Sequence, residues 1–294
     1  MWDGAIDERH LYAALRLSVH TYERDGSDSK VVGNGTGFVV SRSPIARKVR
    51  VTNKDAGYLV TNRHVFDPDY ASFTGRKLDK VIVSGFVQPT HKGTIIAASA
   101  TPVEFTIRSP QPRFPTGSGE PDIAVIDLQE ADIPGGCPEL TELSSLRLAS
   151  ANDFSNGGLH VGAQVLVPGY PGIDQVTAAR PILVSGTVAS DPREVAEIGS
   201  QSFHGCVLCH SFSWGGMSGS PVFGFLPKYP LSWSDVENGH AGELALVGVN
   251  RGHLRIGGTA EGALTYFVKS SFLAPLLRDM GRTGLWLNRD DDGD

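Results

Sequence analysis

Gly215-Gly216-Met217-Ser218-Gly219-Ser220-Pro221-Val222 is the stretch on which the reading of this chain turns. A serine hydroxyl is a poor nucleophile until a base takes its proton and backbone donors receive the developing oxyanion. Gly216 and Gly219 let the chain bend tightly around Ser218 and aim N–H groups at one point. A glycine-flanked serine is also what an ordinary turn between strands looks like. Two further segments shift that balance. Leu59-Val60-Thr61-Asn62-Arg63-His64-Val65 supplies a histidine upstream, and Pro121-Asp122-Ile123-Ala124-Val125-Ile126-Asp127-Leu128 supplies an aspartate between the two. An imidazole suits proton transfer near neutral pH, so His64 is the candidate base and then acid. Asp122 is the candidate to hold the imidazole tautomer, against the plainer reading of an aspartate capping a loop end. Asp127 is its nearest rival but lies inside an apolar strand, and Asp67 and Asp69 follow His64 too closely.

The order histidine, aspartate, serine, with these surroundings, resembles the trypsin-like (chymotrypsin-fold) serine peptidases, in style closest to the bacterial Deg-type proteases. Gly33-Asn34-Gly35-Thr36-Gly37-Phe38-Val39-Val40 is similar to that family's early glycine-rich strand. Val167-Pro168-Gly169-Tyr170-Pro171-Gly172 and Val184-Ser185-Gly186-Thr187-Val188 resemble the opening hairpin of its second barrel. Leu246-Val247-Gly248-Val249-Asn250 resembles the strand that holds substrate beside the nucleophile. The resemblance covers nearly the whole chain. It implies an all-β fold of two six-stranded antiparallel β-barrels of the chymotrypsin type, flanked by a short N-terminal helix and a C-terminal helix. Residues 1–150 would carry His64 and Asp122, and residues 151–294 would carry Ser218. It also implies an endopeptidase acting through an acyl-enzyme without a cofactor. The oxyanion hole would be the N–H groups of Gly216 and Ser218, with extended substrate laid beside Val247–Asn250 and Phe212, Val249, Asn250 and Arg251 as contacts. Phe212 falls near the base of the primary pocket, where trypsins carry an acid, and Gly262-Ala263-Leu264 reads as another wall. Met217 stands where trypsins carry Asp, so no charge awaits a freed amino terminus. Ser220 replaces a usual Gly, and Val65 follows His64 where trypsins place a disulfide.

Composition narrows the alternatives. With 26 Lys and Arg against 32 Asp and Glu, the net charge of −6 argues against general nucleic-acid or anionic-membrane binding. No uninterrupted apolar stretch is long enough to span a bilayer. Asp3, Asp7, Glu8 and Arg9 leave no apolar core for a secretory leader. Cys137, Cys206 and Cys209 cannot form a fully paired framework, so a reduced cytoplasm is the expected location. The 35 glycines and 18 prolines suit many short strands joined by turns.

Periodicity predicts a helix over Ile6–Leu15, then strands over Val31–Val40, Val49–Thr52, Tyr58–Thr61, Val81–Val83, Thr94–Ala97, Val103–Ile107 and Ile123–Leu128. Glu130–Asp153 shows no clear period. Further strands are expected at Gln164–Val167, Ile182–Ala189, Cys206–His210, Pro221–Phe225, Leu244–Asn250 and Leu264–Val268, before a helix at Ser270–Met280. Cys206-Val207-Leu208-Cys209-His210 carries the Cys-x-x-Cys-His pattern of haem attachment, and a His/Cys quartet can hold zinc. Its alternation reads instead as a barrel strand with packed thiols and no metal. A non-enzyme reading stays open, in which the fold is a catalytically silent module binding a peptide or partner. The intact Ser, His and Asp favour the enzyme, with a protein or peptide as substrate. Substrate selection would then come from loops, a regulatory partner or homo-oligomerisation.

Overall fold

The computed structural model describes residues 8–22, 30–42, 56–68, 77–87, 90–91, 94–95, 100–115, 121–141, 143, 147–173, 176–198, 200–227, 242–253 and 264–281. A one-turn helix, α1 (Glu8–Tyr12), precedes β1 (Ala14–Tyr22). The predicted helix over Ile6–Leu15 is thus cut short. Leu15, Leu17 and Val19 alternate inward at the two-residue period of a strand, and that pairing wins over the helical reading of Leu15.

The first sheet continues through β2 (Lys30–Val40), β3 (Tyr58–Thr61), β4 (Lys77–Val87), β7 (Thr101–Arg108) and β8 (Ala124–Asp127), with short β5 (Thr90–His91) and β6 (Thr94–Ile95) forming a hairpin between β4 and β7. Its order is β7-β4-β1-β2-β3-β8. Arg113 and Val125 exchange backbone hydrogen bonds of 2.8 and 2.9 Å, returning the chain after β7 to β8 and closing the barrel. Strand β4 is far longer than Val81–Val83. Asp79, Lys80 and Ser84 sit on its wetter face while Leu78, Val81 and Val83 fill the core, so polar residues conceal the strand without ending it. The Val49–Thr52 expectation lies outside the described residues.

The second sheet uses β9 (Arg147–Leu148), β10 (Gln164–Gly169), β13 (Ile182–Val188), β16 (Cys206–His210), β17 (Pro221–Pro227), β18 (Gly242–His253) and β19 (Leu264–Lys269). Its order is β17-β10-β13-β16-β19-β18-β9, and β17 also pairs with β18, so six strands form a closed ring with β9 added in parallel. Two small hairpins, β11 (Gly172–Ile173) with β12 (Val176–Thr177) and β14 (Ala196–Ile198) with β15 (Gln201–Phe203), complete the strands. The double antiparallel β-barrel is the one the resemblance implied.

Two helices lie among the described residues of this half. In the region without periodicity, α3 (Ala151–Ser155) starts at a capping box, in which Ser150 and Asp153 bond each other's backbone N–H. The helix α4 (Leu273–Asp279) follows a 3-10 turn at Ser270–Phe272. It buries Leu273, Leu276 and Leu277 in a cluster shared with Phe38, Tyr58 and Val60 of the first sheet. The Tyr58 hydroxyl donates to the Met280 carbonyl at 2.7 Å. Each fully buried side chain of this size contributes about 1.5–3 kcal/mol relative to exposure, so the terminal helix clamps the halves together. Among the described residues no helix is long and apolar enough to cross a membrane.

Candidate active site

Register brings the histidine to the aspartate. Thr61 of β3 pairs antiparallel with Ala124 of β8, so the residues leaving β3 lie beside those entering β8. The short helix α2 (Arg63–Phe66) then presents His64 over Asp122. His64 Nδ1 lies 2.6 Å from Asp122 Oδ2, and the His64 backbone N–H donates to Asp122 Oδ1 at 2.9 Å. Asn62 Nδ2 donates to the Asp122 carbonyl at 2.7 Å, fixing the backbone that carries the carboxylate. The rival Asp127 is occupied elsewhere, receiving Arg42 and the Gln129 N–H. The side chain of Asp122 is 2% exposed. Burial alone would raise its pKa. The His64 hydrogen bond and charge, the Arg251 charge and the His64 backbone N–H outweigh burial and hold the carboxyl below its ordinary 3.8.

The serine arrives by the same logic in the other barrel. Pro221 of β17 pairs with Val249 of β18, so the turn before β17 sits beside the residues after Val249. Ser218 Oγ donates to the Arg251 carbonyl at 3.2 Å. Among the described residues it makes no hydrogen bond to His64. Gly219, at φ +87°, belongs to the conformation that glycine adopts freely, and a Cβ there would lie 2.1 Å from the Thr36 carbonyl. Neither the Gly216 nor the Ser218 N–H donates to a protein acceptor among the described residues, leaving both available to an oxyanion. Met217 is fully buried in the second core, and Asn250 Nδ2 donates to its carbonyl at 2.8 Å. Packing and the Asn250 amide thus help to order this loop where the sequence lacks the acid.

Thr36, which sequence reasoning passed over, stitches the barrels at this point. Its hydroxyl donates to the Gly216 carbonyl at 2.7 Å and accepts the Tyr170 N–H at 3.1 Å. Its backbone N–H donates to the Ser218 carbonyl at 2.7 Å, and its own carbonyl accepts the Thr61 hydroxyl at 2.7 Å. The signal was the surrounding glycines. A Cβ on Gly35 would meet the Val65 side chain at 2.8 Å and the Ser218 carbonyl at 3.0 Å, so the histidine and serine segments close onto a bare backbone.

The residues nominated for the substrate side fall in different settings. Val247–Asn250 cannot receive a substrate strand, because ring closure uses both of its edges. Gly248 and Val249 pair with β17 on one side and β19 on the other. Asn250 exchanges backbone bonds of 2.8 Å with Ser220 and Gly219, and its side chain turns toward Met217 and Ser213. Val249 is fully buried. The edge without a β17 partner begins at Arg251 and runs to His253. The Arg251 guanidinium turns inward, with Nε donating to Asp122 Oδ2 at 2.9 Å. Phe212 lies at the surface of the described residues. It is 60% exposed and stacks on Trp214, with centroids 6.0 Å apart and planes 19° apart. Gly262 and Ala263 lie outside the described residues.

Cys206 and Cys209 are three residues apart on one strand and so face opposite ways. Cys206 packs in the core shared between the barrels, Cys209 inside the second. Burial pushes the two thiols up to about 11 and about 12. Among the described residues no cluster of His, Cys, Asp and Glu is arranged to hold a metal.

Among solved structures the chain is similar to Deg5, at 17% identity and a TM-score of 0.46, covering 92% of this chain and 88% of that one. It is similar also to the Rv3671c protease from M. tuberculosis in its active form, at 16% identity and a TM-score of 0.44, covering 93% and 83%. No curated protein matches. The profile of the trypsin-like peptidase domain matches residues 35–224, most of the chain, and to that family the chain belongs.

Proposed function

We propose that this protein is a serine endopeptidase that cleaves peptide bonds through an acyl-enzyme, with Ser218 as nucleophile, His64 as general base and acid, and Asp122 as its orienting carboxylate. The observation that carries the reading is the 2.6 Å contact of a buried carboxylate with His64 Nδ1, which leaves Nε2 as the ring's proton acceptor. Attack on the carbonyl places negative charge on oxygen, and the Gly216 and Ser218 N–H groups supply donors for it. Each such donor is typically worth about 3 kcal/mol in the transition state. His64 then returns its proton to the leaving amine, and water hydrolyses the ester by the same route in reverse.

Substrate main chain pairs with the Arg251–His253 segment of β18, just beyond the last β17 pair at Val249. A peptide N–H on the Arg251 carbonyl competes with the Ser218 hydroxyl now bonded there and turns that hydroxyl toward His64. Catalytic hydrogen bonds of this kind commonly tighten only when substrate is present. The Phe212–Trp214 stack offers an apolar shelf with no acid to neutralise a basic side chain. Digestion of a peptide library is therefore expected to cut after apolar or small residues in preference to Lys or Arg, and Ser218→Ala is expected to abolish all cutting. Undiminished cutting by Ser218→Ala would remove the proposal.

A further inference from the structure

Asp122 Oδ2 is shared. It accepts His64 Nδ1 at 2.6 Å and Arg251 Nε at 2.9 Å, and the Asp122 side chain is 2% exposed while Arg251 is 32% exposed. The guanidinium carbon lies 5.3 Å from the centre of the Tyr266 ring, so the group is held on the face of an aromatic as well as on the carboxylate. The main chain of the same residue takes the Ser218 hydroxyl. One residue thus touches the triad at both ends.

We propose that Arg251 is a positioning residue of the triad, whose guanidinium shares the Asp122 carboxylate with His64 and thereby sets the pH at which the imidazole can accept the serine proton. The proposal rests on the triad reading above. A guanidinium is charged at every working pH and matches a carboxylate in shape. Placed on the atom that also receives Nδ1–H, it takes part of the negative charge that would otherwise stabilise the imidazolium. The base is then available at lower pH and is a weaker base, a trade the neutral hydrogen-bond donors usual around a buried carboxylate do not make. Among the described residues, the other titratable groups near this corner include Cys206 on β16, Tyr266 and Lys269 on β19 and His253 on β18. Burial raises the pKa of the Cys206 thiol and of the Tyr266 phenol, which stay protonated near neutral pH, and lowers that of the Lys269 amine. Neither the thiol nor the phenol changes charge in the range where the imidazole works.

The test compares the wild type with Arg251→Met, which keeps length and loses charge, and Arg251→Lys, which keeps charge and loses the fork. The second-order rate of labelling by a fluorophosphonate probe is followed from about pH 5 to about pH 9. Removing the cation is expected to move the acid limb of the profile to higher pH by roughly half to one unit, the size a partly screened charge near a titrating group produces. Arg251→Lys is expected to keep the limb near that of the wild type, which a purely packing role for the side chain would not require. Superimposable limbs for wild type and Arg251→Met, with both proteins folded by thermal melt, overturn the proposal. Ser218→Ala runs alongside. If it labels as the wild type does, the triad reading fails and this proposal with it. If labelling depends on Ser218 but the limb does not move, the positioning role alone is lost.

Discussion

At the scale of single residues, the sequence offers candidates for the chemistry by residue type and order. Few residue types can act as nucleophile, base and orienting acid, so His64, Asp122 and Ser218 could be nominated from motif and order alone. What could not be read was which other side chains reach them. Arg251 looked like a substrate contact because its position past a strand gives no clue that it turns back onto Asp122. Asp122→Asn is expected to lower turnover by about 10⁴-fold through the wrong imidazole tautomer, while Asp127→Asn leaves turnover largely intact and weakens only the Arg42 contact. The reverse ranking in a kinetic assay would move the orienting role to Asp127. Because the Asp122 carboxyl is held below 3.8, its ionised form stabilises the fold above that pH and the contribution fades as pH falls through the lower native value. The melting-temperature gap between wild type and Asp122→Asn is therefore expected to shrink from pH 7 to about pH 3. A constant gap would show that the ion pairs at Asp122 do not stabilise the fold.

At the scale of elements, alternation found most strands and missed what pairing does to them. Strand β18 illustrates the limit, since its apolar run says that it is central but not which of its edges remains open. Short hairpins and β9 carry too few residues to show a period, and polar residues hid the true length of β4. The missed α3 did leave a mark in Ser150 and Asp153. Thr36 is the element-level test, because one hydroxyl on β2 holds the nucleophile turn of the other barrel. Thr36→Val leaves the part-buried Gly216 carbonyl and the buried Tyr170 N–H without that partner, at an expected cost of about 1–3 kcal/mol, and should slow labelling of Ser218 as well. Unchanged melting and labelling would show that the glycine turn holds its shape alone. On β16 the two thiols are buried and raised in pKa, while Cys137 is only partly buried. Iodoacetamide at neutral pH is expected to modify Cys137 well before Cys206 or Cys209 in the native protein. Early modification of the β16 pair would contradict the core placement.

At the scale of the whole molecule, each barrel holds half of a site that neither could complete. The first brings His64 and Asp122 to the end of the β3–β8 pair, and the second brings Ser218 and the Arg251 edge to the end of the β17–β18 pair. Thr36 joins the halves at the cleft, and α4 joins them again through Tyr58. The double barrel was legible through the family resemblance that the three motifs carry, with which the series of short strands is consistent. The joint was not, since it consists of contacts between residues far apart in sequence, such as Thr36 with Gly216. The central claim is that this joint activates one serine. Its most direct measurement is fluorophosphonate labelling of the intact protein, with the modified residue located by mass spectrometry. The account predicts one adduct, on Ser218, that forms in the wild type and is lost in His64→Ala and Ser218→Ala. An adduct on another residue, or labelling of Ser218 at the same rate without His64, would contradict it.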